Sequence, residues 1–254
     1  MIKRTTGILV VAAVIAVLIA VPAAFSQMES APIIYTFVSQ FQVPRANWAA
    51  YAEDTEKSVV PIMEKLTADG TIASWSTFEQ VVHTPEGYTN GAAWSSSSLA
   101  GLMKVLDEVR KAGPRPGQMA ATKHEDYLMQ TSMYHAGSGT PAYLRVICSN
   151  AKADKPAEFT TMLKKLLVPT FEEQLKKGVA TYYGVDEQYV NSSAPSTRCV
   201  VITYPNAESM DKWAVAINMT INKWTAAERA EYLGATVADS RRDIMARITH
   251  SGHK

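Results

Sequence analysis

The chain has 254 residues, 47% of them hydrophobic, with 25 Lys and Arg against 24 Asp and Glu. That length holds one large domain or two of roughly 100–150 residues each, and the even charge excludes a basic face built to grip nucleic acid. Two cysteines exclude a disulfide scaffold and a four-thiolate zinc site.

Residues 1–26 read as an export signal. Lys3 and Arg4 start it, 19 uncharged residues follow from Gly7 to Phe25, and Ala24 and Ser26 are the small residues a signal peptidase reads. Cleavage is expected before Gln27, which places the protein in the periplasm or outside the cell. The alternative is an uncleaved anchor, since a bilayer span needs roughly 20 apolar residues; Pro22 and the small residues favour cleavage. The remainder is near neutral, so neither nucleic acid nor anionic lipid is an expected partner. Any membrane contact would run through the N-terminal segment.

The rest of the chain is repetitive. Segments 60–83 and 168–191 share 7 of 24 residues at a fixed offset of 108, among them Val60/Val168, Pro61/Pro169, Glu64/Glu172, Gly70/Gly178 and Glu79/Glu187. The expected halves are residues 27–137 and 138–254. Each reads as strand, helix, strand, strand, helix, strand.

In the first half, Ile33–Ser39 is rich in β-branched and aromatic residues. Trp48, Ala52, Thr55, Val59, Ile62 and Leu66 follow at helical spacing, and Gly70 is placed to end that helix. Strands are expected over Thr71–Val82 and Tyr88–Ser95. Ser98 caps a helix striped by Leu99, Leu102, Leu106 and Val109. A short helix near Ala120–Tyr127 precedes a last strand, Met129–His135. In the second half the expected strands are Tyr143–Cys148, Val179–Val190, Arg198–Tyr204 and Ile244–His250. Phe159, Leu163, Leu166 and Phe171 stripe its first helix, Asn206 caps the second, and Thr225–Glu228 is a capping box for a further one. Pro61 and Pro169 fall inside the first helix of each half. There proline frees the carbonyls of Lys57 and Lys165, making either a kink or a polar notch facing a ligand.

A β-α-β-β-α-β unit is the ferredoxin-like arrangement, and a tandem copy would cover its bare sheet face. The chain therefore resembles the dimeric α/β-barrel superfamily, as an α+β, single-chain pseudo-dimer of two four-stranded sheets, either alone or within a higher oligomer. The likeness rests on element order and duplication. The superfamily includes antibiotic-biosynthesis-type monooxygenases, NIPSNAP-like proteins, haem-degrading enzymes and chlorite dismutase-like haem proteins. In such a sheet Cys148 and Cys199 lie on antiparallel neighbours; a cross-strand disulfide and two buried thiols are both open.

No phosphate loop, GxGxxG turn, HExxH helix or GxSxG elbow is present, and no metal site is expected. His83, His124, His135 and His250 are the candidate acid–base or ligating groups. The carboxylates of Glu125 and Asp126 stand beside His124, but on a helix the three would point apart. Trp75, Trp94, Tyr182 and Tyr183 are the candidate lining of a pocket between sheet and helices, with core packing as the alternative. The resemblance to haem-degrading members gives Trp94 the family's tryptophan role and sets His124 near its histidine, but strand one carries Ser39 and Gln40 where those enzymes have asparagine. A chlorite dismutase-like reading would need His250 as proximal ligand. The expected function is thus an exported protein holding a small apolar or aromatic ligand without a cofactor. The alternatives are a cofactor-independent monooxygenase, with Trp94 and His124 at the site, and a haem protein.

Overall fold

The computed structural model describes residues 33–152, 154–190 and 196–254. The expected export signal, residues 1–26, and its cleavage site lie outside them. Eight strands form: β1 Ile34–Gln42, β2 Ser74–Gln80, β3 Asn90–Ser96, β4 Lys123–Ala136, β5 Tyr143–Asn150, β6 Tyr182–Gln188, β7 Thr197–Tyr204 and β8 Arg242–His253. They close into one barrel in the order β1-β3-β2-β8-β5-β7-β6-β4, all pairs antiparallel. Each half supplies four strands in the same spatial order, β4-β1-β3-β2 and β8-β5-β7-β6. The seams are β2 against β8 and β4 against β6. Closure leaves no sheet edge to template aggregation.

Strand alternation divides the core. One face of the first half sets Phe37, Trp94 and Trp75 in a row, packed against Met63, Leu66, Leu102 and Val105 of the helices. The other face points into the barrel. There Val38, Phe78 and Ala93 of the first half meet Leu144, Val146, Val201, Ala246 and Ile248 of β5, β7 and β8. Cys148 and Cys199, direct partners across β5 and β7, are bonded.

The helices lie outside. In the first half α1, Trp48–Asp54, runs through a π-helical segment, Thr55–Val59, into α2, Val60–Ala68. α3 is Leu99–Lys111, with Ser98 Oγ accepting from the Gly101 amide at 3.1 Å. α4 is the short Pro116–Met119. In the second half α5, Pro156–Leu166, breaks at Leu167 before α6, Val168–Lys176. α7 is Ala207–Asn222, capped by Asn206, and α8 is Ala226–Ala235, started by the Thr225–Glu228 capping box. Gly70 and Gly178 end α2 and α6 with φ of +77° and +68°, a conformation that favours glycine. Among the described residues no helix is long and apolar enough to cross a membrane.

Several elements differ from the sequence reading. The expected helix over Ala120–Tyr127 is instead α4 followed by the start of β4 at Lys123; Pro116 at the first turn begins the helix earlier than the apolar pattern suggested. Strand two of each half is shorter than expected, because Ile72 and Val179 turn into the core as connections after the helix. β8 runs on to His253. The two prolines act differently: Pro61 sits after a π turn in an unbroken helix, whereas Pro169 follows a true break. The expected barrel does close, because both seams carry backbone ladders, each with one register shift.

Candidate functional site

The helix-facing side chains of β1, β3 and β4 converge over one short stretch. Backbone pairing places Ser39 opposite both Ala92 and Asp126, and Phe41 opposite His124. Ser39, Ala92 and Thr77 form a row of small side chains across three strands, and the helices do not fill the space above them. The result is a cavity of about 200 Å3. Apolar walls come from Phe41, Val59, Met63, Trp94, Leu106 and Val109, and polar groups from Ser39, Tyr51, Asp54, Thr77, His124 and Asp126. An outer depression of about 430 Å3 shares Phe41, Arg110, Arg115, Gln118 and His124 with it.

His124 stands at the junction of the two spaces. Its ring stacks on Phe41, 4.4 Å between centroids and 2° between planes. Nε2 lies 2.9 Å from Asp126 Oδ1 and 2.9 Å from Ser39 Oγ. A carboxylate only accepts, so hydrogen-bonding logic assigns the proton to Nε2, donated to Asp126 and shared with Ser39. Because both partners share one nitrogen, this is not a hydroxyl–imidazole–carboxylate relay, which needs a different partner on each nitrogen. Nδ1 makes no hydrogen bond to the described residues and is left free to accept one. The group can hold a base in one tautomer and orientation beside an aromatic chamber.

The mouth is built by a close approach. A Cβ at Gly117 would lie 2.3 Å from the Tyr51 amide nitrogen, so glycine lets α4 dock on α1. Asp54 accepts from the amides of Gly117 at 2.6 Å and Gln118 at 3.3 Å, satisfying the first amides of α4. Burial pushes the Tyr51 phenol well above its usual range against the pull of Arg115, so it remains a neutral donor. Burial lowers the Arg115 guanidinium, opposed by Asp54 and Tyr51.

The aromatic residues singled out from the sequence separate. Trp94 lines the cavity, stacks on Phe37 at 4.7 Å and donates to the Leu102 carbonyl at 3.3 Å. Trp75 is buried beside it in the helix-facing core, but is not among the residues lining the cavity; its indole N–H has no partner among the described residues and lies against Gly252. Tyr183 is buried in the second half and donates to Glu172. Tyr182, on the opposite face of β6, stacks on Tyr134 at 6.4 Å. These two tyrosines belong to the far side of the barrel, away from Trp94. His83 meets the edge of Trp48 at 5.7 Å, and His135 Nδ1 lies 2.5 Å from Glu172. His250 engages both nitrogens, Nε2 with Glu56 at 2.6 Å and Nδ1 with Thr77 at 3.2 Å.

Asp126 was missed as a partner because a helix was expected there. On a strand, positions i and i+2 share a face, so His124 and Asp126 meet while Glu125 points into the barrel and accepts from Tyr88. Phe41, Tyr51, Arg110 and Arg115 carried no sequence signal beyond their residue types.

No family model matches the chain, and no curated protein matches it. Solved structures do. A candidate monooxygenase from Lactobacillus acidophilus is 12% identical with a TM-score of 0.63, over 88% of this chain and 97% of that one. One from Fusobacterium nucleatum is 10% identical with a TM-score of 0.66, over 89% and 96%. A chlorite dismutase variant from Candidatus Nitrospira defluvii is 12% identical with a TM-score of 0.52, over 85% and 92%. At these identities the likeness is one of fold.

Proposed function

We propose, from the premise that this chain has the fold of the dimeric α/β-barrel superfamily, that its cleft holds one small hydroxylated aromatic molecule and oxygenates it without a cofactor. The carrying observation is His124, with Nε2–H held by Asp126 and Nδ1 free, at the edge of a cavity walled by Trp94 and Phe41. An apolar cavity of about 150 Å3 takes benzene, so about 200 Å3 suits a single ring. The outer depression would receive any substituent, near Arg110 and Arg115.

His124 Nδ1 takes the phenolic proton, and Asp126 steadies the imidazolium that forms. The electron-rich phenolate then reacts with O2. A C–O bond forms, the O–O bond breaks, and loss of water leaves a quinone: phenol and O2 give quinone and water. Trp94 and Phe41 hold the ring flat. The monooxygenase candidates among the structural neighbours support this reading by analogy of fold.

Haem, which the superfamily implies, does not fit these residues. His250 has no free nitrogen, being held by Glu56 and Thr77. The space between sheet and helices in the second half is packed with Phe171, Tyr183 and Trp213. Among the described residues no three His, Cys, Asp or Glu side chains gather as a metal site.

The test is oxygen uptake with hydroquinone, which the same oxygenation converts to hydroxybenzoquinone, one O2 consumed and one water released per ring. His124→Ala should lower kcat/KM about 10²–10⁴-fold, the usual contribution of a general base, and Trp94→Phe should raise KM. If hydroquinone binds and no oxygen is consumed, the cleft is a binding site alone; if it does not bind, the proposal falls. The reading also places the protein outside the cytoplasm, supported by the Cys148–Cys199 bond, which persists in oxidising compartments. It takes the halves as copies of one module, supported by their shared strand order.

A further inference from the structure

We infer that Thr77, His250 and Glu56 form a proton relay between the inner end of the cleft and solvent; this rests on the cleft's being a phenol site. Thr77 lines the cavity, its Oγ1 lies 3.2 Å from His250 Nδ1, and His250 Nε2 lies 2.6 Å from Glu56 Oε2. Unlike His124, this imidazole has a different partner on each nitrogen, which is what passage of a proton through the ring requires. Exposure rises along the chain of groups. Thr77 is 3% exposed, the His250 side chain 33% and the Glu56 side chain 64%.

Two backbone irregularities meet on this chain, one at the β2–β8 seam and one in the first helix. The ladder between β2 and β8 shifts register after Thr77, so that both Thr249, at 2.7 Å, and His250 reach its hydroxyl. The π segment of the first helix carries Glu56. Bulges and π turns each give up regular hydrogen bonding to re-aim a side chain. The other seam also carries a histidine–carboxylate pair, His135 of β4 with Glu172 of α6, but built otherwise. There Glu172 Oε1 is the middle group, meeting both Tyr183 and His135. One carboxylate oxygen holding two donors is a tie, with no through path.

The balance is one proton in and one out. A proton from the bound molecule passes to Thr77 Oγ1 as the hydroxyl's own proton moves to His250 Nδ1. The Nε2 proton moves to Glu56, and Glu56 releases it to water. Run in reverse, the chain supplies the proton with which the second oxygen of O2 leaves as water. Thr77 is the group that touches the substrate; His250 and Glu56 act through it.

The test uses 4-nitrophenol and NMR of histidine-labelled protein, with His250→Gln to assign the ring resonances. On binding, the His250 resonances should shift. Thr77→Val should still bind within about tenfold, the value of one hydrogen bond, but lose the His250 response, and Thr77→Ser should restore it. With hydroquinone, Thr77→Val and Glu56→Gln should lower kcat about 10²-fold with little change in KM. Binding of 4-nitrophenol with the same His250 response in wild type and Thr77→Val overturns the relay alone. Failure of wild type to bind 4-nitrophenol overturns the reading of the cleft, and the relay with it.

Discussion

The two halves turn the same sheet face to their helices, yet one interlayer space is open and the other is packed. Register makes the comparison direct. The row Ser39–Ala92–Thr77 of the first half corresponds to Ile147–Val200–Val185 in the second, and Phe37–Trp94–Trp75 corresponds to Arg145–Ile202–Tyr183. Small side chains lie under the cavity, and branched aliphatic ones lie where the second core is continuous. Above that second row Phe171 stacks on Trp213 at 5.1 Å and tilts against Tyr183 at 5.3 Å. A fold that repeats its framework can thus reserve one interlayer space for stability and free the other for chemistry.

The largest effect should come from breaking the packed half. Phe171 is 3% exposed at the centre of its ring cluster. Phe171→Ala should cost about 3–5 kcal/mol, as truncations of large buried rings do, read as a shift in the urea midpoint. Val109→Ala, on the wall of the cavity, should cost about 1 kcal/mol or less, because its side chain already lacks neighbours on one side. Equal losses at the two sites would refute the contrast.

The second half also holds the disulfide. Cys148 and Cys199 are 51 residues apart, and loop entropy alone assigns a bridge of that span about 4 kcal/mol, with about 2–4 typical in practice. The double replacement by alanine should lower stability by that amount in denaturant melts. It should leave 4-nitrophenol affinity within about threefold, about 0.7 kcal/mol and well below the stability lost.

A third difference is a buried carboxyl in the second half. Asp186 is 7% exposed and accepts from Thr131 Oγ1 at 2.7 Å, and burial pushes its carboxyl up to about 6. The folded state therefore holds this proton to higher pH than the unfolded chain, which releases it near 3.9. Between those values the folded state binds more protons, so stability falls as pH rises from about 4 to about 6, by about 3 kcal/mol. Asp186→Asn should remove that part of the slope and leave a more stable protein at pH 7 than wild type. An unchanged slope between pH 4.5 and 7 would show that Asp186 titrates near its ordinary value.

Much of the framework was legible because it rests on local signals. Ser98 and Asn206 are caps whose geometry the structure shows, the Thr225–Glu228 box forms, and the glycines after α2 and α6 take the positive φ that helix ends favour. The site was only half legible. Trp94 was named, but its neighbours come from strand pairing, and pairing register is not written in any one segment. The helix expected over 120–127 hid the His124–Asp126 pair, since a change from helical to strand spacing decides which of two adjacent carboxylates meets the imidazole. Nor could Pro61 and Pro169 be told apart by sequence: the same Val-Pro step follows a π turn in one half and a break in the other.

The smallest change in stability should accompany the most complete change in the cleft. Ser39→Ile with Ala92→Val gives the first half two of the three floor residues of the second. The added methyl groups fill empty space, which commonly stabilises by about 0.5–2 kcal/mol, against some overpacking of Met63 and Val59. Loss of the Ser39 hydroxyl orphans nothing, because Asp126 still holds His124 Nε2 at 2.9 Å. The net should lie within about 1 kcal/mol, while 4-nitrophenol and hydroquinone no longer bind. The reverse pair, Ile147→Ser with Val200→Ala, empties a filled core and should cost about 2–5 kcal/mol. If filling the first half leaves binding intact, the ligand lies elsewhere, and the small row Ser39–Ala92–Thr77 is a packing accident rather than the floor of a site.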